Sequence, residues 1–182
     1  MAVQLNMFNK FIATLFISSI LVINSNGQAE TGLVSSQMTA VNNVEWETRR
    51  QQYLPNIVVV DMWAMWCSSC IERYPEMVKL HEKYKNQNIE FVSMNLDDRE
   101  DLESLDLADK FLKKMKANFD HYRMDENLLY AFEKLDLLGI PAVLIYDENG
   151  KEQYRLTGDN PNKQFTEKDI EEAIKELLDN ND

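Results

Sequence analysis

Two cysteines and two histidines are all the Cys and His ligands that this 182-residue chain offers a zinc ion. A zinc site wants four ligands, and His81 and His121 stand at no common zinc spacing from the cysteines. Covalent haem attachment needs a histidine directly after the second cysteine, where Ile71 stands. A peroxidase is equally disfavoured, since no third cysteine is present and the spacing of the two is wrong for a peroxidatic pair. Basic residues are also in short supply, 19 Lys and Arg against 31 Asp and Glu, for a net charge of −12. No basic cluster is present to meet a phosphate backbone, which excludes nucleic-acid binding. There is no internal repeat. The nine methionines are scattered and read as core fillers, not copper ligands.

Long apolar runs are missing as well. The longest, Phe11 to Ile23, has 13 residues, whereas a spanning helix needs about 17–25. Lys10 precedes it, and Gly27-Gln28-Ala29 follows with small residues at −3 and −1. Residues 1–29 therefore read as a secretory signal peptide cleaved before Glu30, with an uncleaved anchor as the alternative. No cysteine follows the run, so lipidation there is unsupported. Residues 30–43 are rich in Ser, Thr, Asn and Gln and read as a flexible lead-in. Residues 44–182 make one globular domain of ordinary composition, 45% hydrophobic and 27% charged over the whole chain.

The chemistry concentrates in Asp61-Met62-Trp63-Ala64-Met65-Trp66-Cys67-Ser68-Ser69-Cys70. A buried strand, Ile57 to Ala64, delivers the two cysteines to the first turn of a helix. Cysteines at i and i+3 there share a face, with Cα atoms in the window of about 4.4–6.8 Å that a disulfide requires. The first thiol meets unpaired backbone N–H groups and the positive end of the helix dipole. Its pKa is expected below the free value of about 8.5, making it a better nucleophile near neutral pH. A purely structural disulfide is a poor explanation, because so short a loop removes little entropy from the unfolded chain. The pair suits cycling better than stapling, and points to reversible dithiol–disulfide exchange.

The remaining pattern alternates helices and strands. Val44 to Leu54 reads as a short helix whose Trp46 and Tyr53 cover a sheet. Ile71 to Tyr84 is helical, with Ile71, Tyr74, Val78 and His81 on the buried stripe and Pro75 kinking it. His81 is roughly 16 Å from Cys70 along that axis and is a packing residue, not a base. Ile89 to Asn95 is a strand. Asp97 to Asp106 is a solvated loop or helix start, and Leu107, Phe111, Leu112 and Met115 mark an amphipathic helix. Phe119 to Met124 is a short strand. Asp125 caps a helix to Leu137 that buries Leu128, Leu129, Phe132 and Leu135. Strand Ala142 to Tyr146, an Asn149-Gly150 turn and strand Glu152 to Leu156 form a hairpin. Thr166 to Asp169 resembles a capping box opening a final helix that buries Ile170, Ala173, Ile174, Leu177 and Leu178. The fold class is α/β: a mixed central sheet flanked by helices on both faces.

Several separated residues resemble the thioredoxin fold family over about residues 44–180. Trp66-Cys67-Ser68-Ser69-Cys70 is similar to its Trp-Cys-x-x-Cys. Asp61 stands at its strand aspartate, Trp63 at its aromatic, and Pro75 at its helix proline. Ile140-Pro141 resembles its cis-proline loop, and Gly158 the glycine after its hairpin. The leader and an added helix–strand element, about Leu107 to Met124, resemble the TlpA/ResA-type extracytoplasmic branch. That resemblance implies a periplasmic or cell-envelope protein, soluble after cleavage or tethered by its leader. It also implies reduction of protein disulfides, with electrons from a membrane thiol transporter of the CcdA/DsbD kind. A monomer with no cofactor and no bound metal is expected.

Cys67 is the expected nucleophile and Cys70 the resolving thiol, deeper and less acidic by resemblance. Asp61 interrupts an apolar strand, so desolvation should raise its pKa and fit it to take the proton of Cys70; a solvated strand-end aspartate is the alternative. The resemblance implies that Pro141 is cis beside the cysteines and that the Ile140 backbone pairs with extended substrate. Trp66 either contacts substrate and shields the thiols or simply packs. Ser68 and Ser69 replace the family's usual Gly-Pro or Pro-Pro. Their hydroxyls could stabilise a thiolate and raise the reduction potential, which tunes the redox pair. Met65, where an acidic or small residue is usual, makes the rim more apolar. A thiol oxidase or isomerase of the same fold stays open, as does a non-enzymatic thiol-based binding or metallochaperone module.

Overall fold

A computed structural model of the chain describes residues 37–159 and 164–179. The expected signal peptide lies outside them, as does the lead-in before residue 37. The order of elements is β1 (Thr39–Val41), α1 (Asn43–Arg50), β2 (Ile57–Trp63), α2 (Ser68–Tyr84), β3 (Ile89–Asn95), α3 (Leu102–Met115), β4 (Asp120–Met124), α4 (Leu128–Lys134), β5 (Ala142–Tyr146), β6 (Glu152–Thr157) and α5 (Glu167–Asp179). A single 3-10 turn, Gln51–Tyr53, follows α1.

The strands lie in the order β1-β4-β3-β2-β5-β6. β1, β4, β3 and β2 run parallel, whereas β5 is antiparallel to both β2 and β6. β2, buried along its whole length, is central, and its period-2 alternation sorts the helices. Val58, Val60 and Met62 face a core completed by Trp46 of α1 and by Ala131 and Leu135 at α4. Ile57 and Val59 face Met77, Leu80 and Tyr84 of α2 and Ile170, Ile174 and Leu177 of α5. Trp63, on that same face, packs with Cys67, Cys70 and Tyr74 and with Ala108 and Leu112 of α3. Helices thus cover both faces, as the pattern implied. The added α3–β4 element inserts β4 between β3 and β1.

Three local expectations need correction. The end of the supposed flexible lead-in is β1, which pairs Thr39 with Tyr122 and Val41 with Met124; it escapes a propensity reading because three residues carry too little periodicity. α4 is capped by Asn127, whose side chain accepts the N–H groups of Leu129 and Tyr130, and not by Asp125. Starting there, the core stripe passes through Leu128, Ala131 and Leu135, and Leu129 falls off it with 81% of its surface exposed. On α2 the deeply buried stripe is Tyr74, Met77, Leu80 and Tyr84, while Ile71, Val78 and His81 form its half-buried border.

Other elements start and stop for visible reasons. Asn42 and Glu45 close a reciprocal capping box at α1. Asp101 caps α3, which starts at Leu102, five residues before Leu107, so the acidic stretch is half helix. Thr166 donates its backbone N–H and its hydroxyl to Asp169, 2.6 and 2.8 Å, half of the expected box. Gly150, with φ of 77°, turns the β5–β6 hairpin. Ile140-Pro141 is cis, as is Leu54-Pro55.

Candidate active site

β2 leads through Ala64-Met65-Trp66 to Cys67 at the N-terminus of α2, and Cys70 lies in that helix's first turn. Cys67 is the N-cap of α2, in extended conformation, and its carbonyl accepts the N–H of Ile71 at 3.1 Å. The N-cap position is ordinarily filled by an oxygen-bearing side chain that accepts an orphan N–H of the first turn. Here sulfur takes that place: Cys70 N donates to Cys67 Sγ at 3.3 Å. The two cysteines form a disulfide, Cα atoms 5.3 Å apart, inside the separation expected from their spacing. Cys67 is 6% exposed and Cys70 not at all. Of the two residues, only Cys67 keeps any contact with solvent. Behind the pair, the rings of Trp63, Tyr74 and Phe111 pack pairwise with centroids 5.1–5.4 Å apart.

Ser68 and Ser69 are both exposed, and it is the Ser69 hydroxyl that lies 3.7 Å from Cys67 Sγ. Trp66, next to Cys67, is 55% exposed and so does not bury itself in the core. The loop before it is pinned: Met65 N donates to both carboxylate oxygens of Asp97, 3.0 Å to each. Asp97 is itself held by Asn95 Nδ2 at 2.7 Å. Burial pushes the Asp97 carboxyl above its usual range, with those hydrogen bonds working against the rise. Neither Asn95 nor Asp97 was legible as part of the site, since both look like residues leaving a strand.

Ile140 packs against the cluster that holds both cysteines, which brings the cis-proline loop to that cluster. Gly158 donates its N–H to the Pro141 carbonyl at 2.8 Å. A Cβ built on Gly158 would stand 2.9 Å from Pro141 Cδ, so glycine is the residue that lets β6 leave the sheet against that ring.

Asp61 is 1% exposed in the middle of β2, which removes the solvated strand-end alternative. Burial raises its pKa, and the Arg73 guanidinium opposes the rise. Arg73 of α2 makes an ion pair with Asp61 Oδ1, a partner that the sequence had not suggested. Among the described residues, Asp61 Oδ2 has no hydrogen-bond partner. His81 packs edge-on against Phe91 and Phe119, centroids 5.8 and 5.1 Å away, as befits a packing residue. No three His, Cys, Asp or Glu side chains are grouped as metal ligands would be among the described residues.

A parallel-plus-hairpin sheet, a Cys-x-x-Cys disulfide at the start of the helix after its central strand, and a cis-proline loop whose Ile140 packs on the same cluster define the class. It is a thioredoxin-like thiol–disulfide oxidoreductase. A family model described as thioredoxin-like matches residues 55–152, more than half of the chain, and the chain belongs to that family. It is 26% identical over 131 residues to the thiol-disulfide oxidoreductase ResA of Geobacillus kaustophilus, covering 72% of this chain and 68% of that one. With ResA of Bacillus thuringiensis it shares 24% over 121 residues, 66% of this chain and 62% of the relative. The chain thus spans less than two thirds of that Bacillus protein's length. A Chlorobium tepidum structure assigned as the thiol:disulfide interchange protein DsbE superposes with a TM-score of 0.57 at 26% identity, covering 70% of this chain and 84% of that one. StoA of Bacillus subtilis, at 17% identity and a TM-score of 0.52 over 65% of this chain and 82% of its own, shares the fold.

Proposed function

We propose that this protein works outside the cytoplasm as a reductase of disulfides in other proteins. The observation that carries the proposal is the asymmetry of the disulfide: Cys67 borders solvent at the helix N-terminus while Cys70 is sealed behind it. In the dithiol form, Cys67 is the thiolate, because the first-turn N–H groups and the helix dipole favour negative charge on that sulfur. It attacks a substrate disulfide; one substrate sulfur leaves as a thiolate and a Cys67–substrate disulfide forms. Cys70 then loses its proton and attacks Cys67 Sγ. The mixed disulfide breaks, the second substrate sulfur leaves, and two electrons have passed from the Cys67–Cys70 dithiol to the substrate. Asp61 is the acceptor for the Cys70 proton.

The exposed Trp66 and the Ile140-Pro141 segment are the surfaces offered to an extended substrate, Ile140 through its backbone groups. Regeneration needs an external dithiol, for which a membrane thiol transporter of the CcdA/DsbD kind is the proposed donor. ResA-named relatives and the apolar leader support placement in the periplasm or cell envelope. No helix among the described residues is long and apolar enough to cross a membrane. The decisive experiment is trapping in the native compartment: Cys70→Ser should accumulate mixed disulfides on Cys67, and Cys67→Ser should have no turnover. Reduction that survives in Cys67→Ser overturns the proposal.

A second reading, a thiol oxidase, is favoured by one contact, the Ser69 hydroxyl beside Cys67 Sγ. Stabilising the thiolate makes the disulfide more oxidising. A redox titration decides, since about −270 mV is typical of thioredoxin and about −120 mV of a strong oxidant.

A further inference from the structure

Arg73 follows Cys70 by three residues on α2, and its side chain is almost as withdrawn from solvent as that of Asp61. It uses its five N–H donors sparingly. Nη2 donates to Asp61 Oδ1, while Nε and Nη1 meet no acceptor among the described residues. Phe165 covers the guanidinium, its ring centroid 5.1 Å from Arg73 Cζ. Arginine–carboxylate pairs are frequently bidentate, the planar fork gripping both oxygens. This one grips a single oxygen. Helix side chains lean toward the N-terminus, so the guanidinium comes back over the turn that carries Cys70.

We propose that Arg73 is a positioning residue for Asp61, holding one carboxylate oxygen so that the other stays free to take the proton of Cys70. The proposal rests on the dithiol-exchange reading above and deepens it. Without a counter-ion, a carboxyl buried in the centre of a sheet stays protonated and cannot accept a proton. Arg73 acts against that burial. Tyr74 is a titratable neighbour of Asp61, and burial keeps its hydroxyl protonated. The flanking strands bring Ser93 and Val143 opposite Asp61, neither of them charged. The proton transfer itself is balanced: Cys70 S–H breaks, the proton moves to Asp61 Oδ2, and the new thiolate displaces the substrate sulfur from Cys67. The proton then passes to solvent or to the leaving thiolate.

The test uses reduced protein and a small aromatic disulfide whose thiol product is coloured. The first coloured equivalent reports attack by Cys67 and the second reports resolution by Cys70. In Arg73→Met, the second phase should slow about tenfold or more, within the range of general-base effects, with the first phase unchanged. Its acid limb should also move to higher pH. Arg73→Lys keeps the charge and should restore most of the rate and the pH profile, which a loss of folding would not allow. Adding Arg73→Met to Asp61→Asn should slow the second phase no further. A second phase in Arg73→Met with the wild-type rate and pH profile overturns the proposal, as does equal slowing in the Asp61→Asn background. A wild-type protein that releases no coloured thiol fails the exchange reading instead, so the two failures are distinguishable.

Discussion

The Met65 backbone N–H rests on the Asp97 carboxylate, 3.0 Å from each oxygen, two residues before the sulfur that does the chemistry. β3 therefore holds the loop that presents Cys67. Asp97→Ala strands that N–H and the Asn95 amide, and an unmet buried polar group costs about 1–3 kcal/mol. The expected outcome is a lower urea midpoint together with slower attack by Cys67, both milder in Asp97→Asn. A variant as stable and as fast as wild type would contradict the relationship.

Gly158 and Pro141 leave no room for a side chain between them. A Cβ at Gly158 would sit 2.9 and 3.0 Å from Pro141 Cδ and Cγ, atoms of a stiff ring. Gly158→Ala is expected to cost about 1–3 kcal/mol as an overpacked contact and to raise KM for a disulfide substrate. Thermal unfolding and steady-state kinetics check the two effects together.

Ser69 is the hydroxyl that reaches the reactive sulfur. Ser69→Ala should make the Cys67–Cys70 disulfide harder to reduce and raise the pKa of the Cys67 thiol. An exposed hydrogen bond is worth at most about 1.4 kcal/mol, so the potential should fall by no more than about 30 mV. Ser68→Ala should move it less. Equilibration with a glutathione redox buffer measures both, and an unchanged potential in Ser69→Ala removes Ser69 from the tuning role.

Acid should weaken the fold through its histidines. His121 Nε2 donates to the Ala117 carbonyl at 3.3 Å, so in the neutral ring Nδ1 accepts the Ser93 hydroxyl at 2.8 Å. Burial lowers the pKa of His121 and that of His81. Each contribution is complete above the unfolded value of about 6.5 and is lost as pH falls through the lower folded value, because the unfolded chain takes the proton first. Urea unfolding across this interval should show stability declining with acid, and His121→Gln should flatten the decline. An identical slope in both proteins would refute the assignment.

What the sequence made legible followed from periodicity and from spacing. The apolar run from Ile57 to Ala64 marked β2 as a buried strand, and Cys67 and Cys70 announced their own geometry. Asp61 could be recognised as a buried charge because its neighbours are apolar. Its partner could not, since Arg73 sits among Glu72 and Glu76 on what reads as a wet helix face, and only the fold turns it inward. Asp97 was hidden for a related reason: an acidic run reads as solvated, yet its first member folds under the Cys67 loop. β1 needed its neighbour β4 to exist at all. Leu129 looked like core because Leu128 beside it is, and one residue is 100° of helix.

The disulfide has a single door. With only Cys67 bordering solvent, whatever oxidises the pair and whatever reduces it must come to the same sulfur, one after the other. Turnover is therefore expected to alternate between two half-reactions, with no complex containing both partners. Rates measured while varying the two partners should give parallel double-reciprocal lines, the mark of ping-pong kinetics, and each partner in excess should inhibit the other.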